Sequence, residues 1–129
     1  MLKNYPDMTT PLNASNLNIE TGSNDNGSYI KFPDGTMICY QNFSGNVDCS
    51  IAYGSGYYGY FNLSNIKPFP VSFVETPVIS VTLMDNDLIG AVPYSPTKTT
   101  CSSIAMYIYG LNSKNKEITL NVLAIGKWK

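Results

Sequence analysis

Short strands punctuated by turn residues constrain this chain more than any other feature. Asp34-Gly35 sits between Tyr29-Ile30-Lys31-Phe32 and Thr36-Met37-Ile38-Cys39-Tyr40. Asp-Gly between two β-rich runs predicts a hairpin, because glycine accepts the positive φ that the turn requires. A second hairpin is expected at Ser44-Gly45-Asn46, leading into a strand from Val47 to Tyr53. Gly54-Ser55-Gly56 then punctuates before Tyr57-Tyr58-Gly59-Tyr60-Phe61.

The second half repeats the theme. Phe69 to Phe73 reads as a short apolar strand, placed at an edge or a strand start by Pro68 and Pro70. Val78 to Leu83 alternates its apolar residues at 79, 81 and 83, and Asp85-Asn86-Asp87 forms the next turn. A loop with Pro93 and Pro96 precedes a strand from Ile104 to Tyr109. The last strand, Glu117 to Ile125, sets Ile118, Leu120, Val122 and Ala124 on one face. Its second half is apolar on both faces, which predicts a place near the centre of the fold. Strands at this spacing, parted by Gly, Pro and Asn turns, indicate an all-β, antiparallel β-sandwich.

The beginning of the chain differs. Thr10-Pro11 has the pattern of an N-cap followed by proline at the first helical position, and Leu12, Ala14, Leu17 and Ile19 supply apolar groups before Gly22. A helix of this length is not stable alone in water. It needs the body of the domain or the same segment of another subunit. Thr21 to Gly27 reads as a flexible polar hinge. The expected organisation is a leader over residues 1–27 and a β-sandwich head over residues 28–129.

Composition narrows the function classes. The 129 residues contain eight lysines, nine acids, no arginine and no histidine, and only 13% are charged. Fourteen Asn and thirteen Ser keep the surface polar instead. Without His, the Ser-His-Asp and Cys-His nucleophile schemes fail, as do the usual His-containing zinc sites. Without Arg, the bidentate fork for phosphate and carboxylate is missing. A net charge of −1 offers no basic track for nucleic acid. Met1 to Asp7 has no apolar run, so neither a signal peptide nor a membrane span is expected. Cys39, Cys49 and Cys101 cannot all pair within one chain and read as small core residues, with a Cys39–Cys49 bridge left open.

Among binding candidates the tyrosines come first. Tyr53, Tyr57, Tyr58 and Tyr60 lie within eight positions, interleaved with glycines. An aromatic face stacks on the C–H side of a pyranose, while hydroxyls and nearby amides bind the sugar hydroxyls. In an extended segment Tyr58 and Tyr60 share one face and Tyr57 takes the other, so core or subunit-seam packing is the competing reading. Asp85, Asn86 and Asp87 could bind sugar hydroxyls or calcium, although Asx side chains in a turn commonly bond their own backbone. Asp34, Asp48 and Glu75 are the carboxylates available for glycoside hydrolysis, and their turn positions fix no pair. No catalytic residue, metal ligand or cofactor is assigned.

Two stretches carry a family resemblance. The run from Glu20 to Tyr40, with Asp34-Gly35-Thr36 and Ile38-Cys39, resembles the opening of a C-terminal domain in phage tail fibres and receptor-binding proteins, especially of phages of low-GC Gram-positive bacteria. The ending Val122-Leu123-Ala124-Ile125-Gly126-Lys127-Trp128-Lys129 is similar to that domain's closing strand, although an aromatic residue usual before Ala-Ile-Gly is absent. Phe69-Pro70-Val71-Ser72-Phe73 with Pro77 resembles its middle signature, and Thr10 to Asn18 a segment common before such heads.

The resemblance implies a β-sandwich similar to the H-type lectin fold, assembled as a homotrimer at a fibre tip on a phage, prophage or tail-like bacteriocin particle. The expected role is non-catalytic adhesion to a host cell-wall polysaccharide or teichoic acid, in a virion protein made in the host cytoplasm and attached to the rest of the fibre or baseplate. The alternative is a structural trimerisation or capping head with no ligand. A glycan depolymerase comes third. Nucleic acid and membrane are not expected partners.

Overall fold

A computed structural model describes residues 18–61, 66–84, 88–101, 103–109 and 113–129. These form nine strands: β1 (Glu20–Asn24), β2 (Gly27–Lys31), β3 (Thr36–Cys49), β4 (Ile51–Tyr53), β5 (Gly56–Tyr60), β6 (Val78–Leu83), β7 (Leu88–Tyr94), β8 (Ser103–Tyr109) and β9 (Ser113–Lys127). They build two antiparallel sheets, a five-stranded one in the order β1-β2-β3-β9-β6 and a four-stranded one in the order β4-β5-β8-β7. The chain is an all-β sandwich, as its strand and turn spacing predicts. The leader helix and the Asp85–Asp87 turn lie outside the described residues.

The first hairpin closes as expected. Asp34 accepts a hydrogen bond from the Thr36 N–H at 2.8 Å, and Gly35 takes φ +94°. The Asp34 carboxyl is held below the usual carboxylate range by its bonds to Thr36, with Lys127 and Lys129 adding to the effect. Residues 21–27, expected as a hinge, instead form β1, a turn and the start of β2. Asn24 makes this tight turn by accepting from the Asn26 N–H through its side chain, an Asx pattern that polar composition alone does not separate from a linker.

No hairpin forms at Ser44-Gly45-Asn46; β3 runs through it unbroken. The in-out alternation of Phe43, Ser44 and Val47 continues across it, and β9 supplies partners along its whole length. Ser44 meets Thr119 at 3.1 Å, and the Asn46 amide donates to the Asn115 side chain at 2.8 Å. Turn-type residues are thereby satisfied within a ladder. β9 pairs with both β3 and β6, which bears out its expected central place.

The inner face of the larger sheet carries Met37, Cys39, Phe43, Val47, Ile118, Leu120, Val122 and Ala124. Phe61, Ile104 and Met106 of the smaller sheet's side complete part of this core. The remainder is covered by residues 66–77, which are irregular rather than a strand. Pro68 and Pro70 remove the donors a ladder needs, and isolated bonds rather than a ladder hold the segment, among them Phe69 N–H to Thr99 O and Phe73 N–H to Lys98 O. Phe69 and Phe73 point inward and meet edge to face at 5.2 Å.

Gln41 is the one polar side chain in the described core, and it anchors this covering segment. Its amide nitrogen lies 3.0 Å from Asn26 O, 3.2 Å from Lys67 O and 2.8 Å from Pro68 O. The three cysteines are buried and free, so Cys39 and Cys49 do not pair. Burial pushes the Cys39 and Cys101 thiols up to about 11.

Three sequence signatures meet at one end of the larger sheet. Trp128 donates from its indole to Phe32 O at 2.9 Å and from its backbone to Gly35 O at 2.9 Å. Val74 N–H donates to Lys127 O, and Phe73 packs on Gly126. The Asp-Gly-Thr hairpin, the Phe-Pro-Val-Ser-Phe segment and the Ala-Ile-Gly-Lys-Trp ending thus pack against one another.

Candidate functional site

The outer face of the four-stranded sheet gathers the tyrosines. Tyr53 pairs with Gly56 across the two-residue turn Gly54-Ser55. Gly54 takes φ +58° with open space where a Cβ would stand, so backbone conformation alone calls for glycine at this first turn position. Beyond the turn, period-two alternation divides the cluster. Tyr58 and Tyr60 face outward, whereas Tyr57 packs against the core. The face division expected from the sequence therefore holds, and Tyr57 leaves the candidate site.

Strand pairing adds two tyrosines that the sequence reading missed. Tyr107 of β8 stands directly opposite Tyr58, and Tyr94 closes the end of β7. Successive ring centroids from Tyr107 to Tyr53, Tyr58, Tyr60 and Tyr94 are 6.3, 6.0, 5.9 and 5.8 Å apart. The first three contacts are nearly perpendicular, at 88°, 88° and 89°, and the last is at 64°. Edge-to-face geometry of this kind sets the positive rim of one ring against the negative face of the next. The Tyr107 hydroxyl also donates to Tyr53 O at 3.3 Å.

Small residues alternate with the rings and form a floor. Gly90 pairs with Tyr107, and Ala105 lies between Tyr60 and Val92. The result is an open concavity of about 570 Å³, walled by five tyrosines over Gly90, Val92, Ala105 and Met106. Among the described residues no charged side chain lines it. The signal for Tyr94 and Tyr107 was present as further tyrosines in the second half, but their meeting with Tyr58 is set by pairing between distant strands.

Of the carboxylates considered for hydrolysis, Asp34 and Asp48 do not converge. Asp34 caps the turn before β3, and Asp48 accepts from the Asn115 backbone N–H near the far end of that strand. Twelve residues of extended chain part them, or about 40 Å. Among the described residues no group of three His, Cys, Asp or Glu is placed to hold a metal ion.

No protein-family model and no curated protein matches the chain. Solved structures do. An N-truncated R1-type pyocin tail fibre superposes with a TM-score of 0.54 at 17% identity, covering 84% of each chain. The fold is similar to that of this pyocin tail-fibre chain. A longer R1 pyocin fibre chain from P. aeruginosa gives a TM-score of 0.52 at 16% identity, over 88% of this chain and 30% of that one. The shared fold carries the likeness, and the tyrosine face is described by this chain's own residues.

Proposed function

We propose that this chain is the head of a tail fibre, on a virion or a tail-like particle, and that it binds a host-surface glycan without chemistry. The observation that carries the reading is the chain of five tyrosine rings around an open, uncharged concavity. Such a wall presents aromatic faces to sugar C–H groups and hydroxyls to sugar oxygens, at low cost in side-chain entropy. The fibre context comes from the fold shared with pyocin fibre chains.

The lining also favours one ligand class. A teichoic acid carries a phosphate in every repeat, and a phosphate calls for charge-assisted donors. Among the described residues the concavity is lined by neither Lys nor a helix N-terminus, and this supports a neutral wall polysaccharide as the better fit. Binding is weak per site and gains from trimeric assembly and from several fibres acting together.

Titration of the full chain with purified wall polysaccharides from low-GC Gram-positive bacteria, with wall teichoic acid alongside, tests this. Saturable binding to a neutral polysaccharide, lost in Ala105→Trp because the new ring fills the floor, is the expected result. Binding only to teichoic acid overturns the ligand class. Failure to bind any wall material favours the structural capping role.

A further inference from the structure

The tyrosine concavity has a shape that a flat sugar face does not use fully. Tyr60 of β5 and Tyr94 of β7 stand on strands separated by β8, about 10 Å apart in the sheet. Their ring centroids are nevertheless 5.8 Å apart, so the two rings lean together over β8. Ala105, the residue of β8 opposite both Tyr60 and Val92, has no bulk to hold them apart. Tyr107 of the same strand stands opposite Tyr58 and Gly90 and closes another side.

Neighbouring rings meet nearly at right angles, at 88° between Tyr53 and Tyr58 and 89° between Tyr58 and Tyr60. A pyranose offers one flat C–H face and engages one ring at a time. Rings turned at right angles present their π surfaces in several directions, which matches a compact, rounded group. An N-methylated ammonium is such a group. Its positive charge is spread over methyls that point to every side, and each methyl can meet the negative face of a ring.

The lining decides which cation fits. An ammonium that keeps its N–H donors needs oxygen acceptors when it leaves water. Among the described residues no carboxylate lines the concavity, and the Tyr107 hydroxyl is already engaged with Tyr53 O at 3.3 Å. A quaternary ammonium has no such donors to satisfy, so ring faces alone suffice. Elsewhere in the chain ring faces do hold ammonium groups: Lys129 Nζ lies 4.8 Å and Lys31 Nζ 5.2 Å from the Trp128 ring centroid. Those cations are the chain's own, whereas no lysine among the described residues lines the tyrosine concavity.

We infer that the concavity is an aromatic cage for a quaternary ammonium group, with Tyr58, Tyr60, Tyr94 and Tyr107 as its walls. The inference rests on the glycan-site reading for the source of that group, a substituent on a sugar chain whose backbone is uncharged. The ammonium seats over Ala105, and the sugar that carries it stacks on the more exposed Tyr53 ring at the rim. Sugar without the substituent meets the same rings and binds more weakly.

Ligand-observed NMR titration of the full chain with choline, beside 3,3-dimethylbutan-1-ol, tests it. The alcohol has the same shape with carbon in place of the charged nitrogen, so it isolates the charge. Choline is expected to bind about tenfold more tightly than the alcohol. Tyr60→Phe keeps the ring and should keep that preference, whereas Tyr60→Leu should lose it. Tyr94→Leu repeats the test from another strand should Tyr60→Leu disturb the sheet. Equal binding of choline and the alcohol, no binding of choline, or an unchanged preference in both leucine variants overturns the cage. A chain that binds neutral polysaccharide but not choline loses the cage and keeps the glycan reading. One that binds choline but no wall polysaccharide keeps the cage and loses that reading.

Discussion

Gly126 of β9 lies directly against the Phe73 ring, so closely that a Cβ at position 126 would stand 2.9 Å from a ring carbon and 3.1 Å from Pro77 Cβ. This contact joins the closing strand to the segment that covers the core. Gly126→Ala is expected to cost about 1–3 kcal/mol by overpacking. Phe73→Leu in the same chain should recover part of that loss, since the two sites share one contact. Chemical denaturation of both single variants and the double variant measures the coupling.

Gly59 is the more severe case. A Cβ there would lie 1.8 Å from the backbone oxygen of Asp48, which cannot rotate away as a ring can. Gly59→Ala should therefore exceed about 4 kcal/mol, a loss confined to a few mechanisms such as this one. Thermal unfolding by circular dichroism would register it as a collapsed or absent transition.

Gln41 supplies the donors for three carbonyls of the β1–β2 turn and the covering segment, while its own Oε1 is buried without a partner among the described residues. Gln41→Leu removes those donors and should cost about 3 kcal/mol, from the desolvation of acceptors left unpaired. Gln41→Glu should be worse at neutral pH, because a buried carboxylate would face carbonyl oxygens. Burial raises such a carboxyl's pKa, so the folded state binds the proton more tightly and the variant should gain stability on acidification. A denaturation midpoint that does not rise from pH 7 to pH 5 contradicts that sign.

Much of this architecture is legible in the residues. The Asp34-Gly35 turn, the β4–β5 turn, the alternation of β6 and the two-sided second half of β9 all follow from local pattern. The opposed faces of Tyr57 and Tyr58 follow from period two alone. What local pattern cannot supply is the partner. Ser44-Gly45-Asn46 has turn composition, yet β9 pairs with it and holds it extended. Phe69 to Phe73 has strand composition, yet two prolines leave it as a cover rather than a ladder. Tyr94 and Tyr107 enter the site only through β7–β8–β5 pairing, across a separation no motif bridges.

The buried thiols give a pH signature of opposite kind to an acid-labile carboxylate. Desolvation raises Cys39 and Cys101 to about 11, so between the ordinary thiol range and that value the folded state retains protons that the unfolded state releases. This contribution is fully present at neutral pH and is lost as pH climbs through about 11. The Cys39→Ala/Cys101→Ala variant should show a shallower alkaline decline. In the native protein all three thiols should resist iodoacetamide at pH 8, and all three should react in denaturant.

The tyrosine face itself is tested most directly by labelling intact host cells with fluorescent full-length protein. Tyr58→Ala/Tyr60→Ala removes two outward rings, and Tyr57→Phe changes an inward-packed ring as the control. Wild type and Tyr57→Phe are expected to label cells equally, and the double variant to fall at least tenfold while keeping its fold and mass. Undiminished labelling by Tyr58→Ala/Tyr60→Ala would contradict a glycan site on the outer face of the four-stranded sheet.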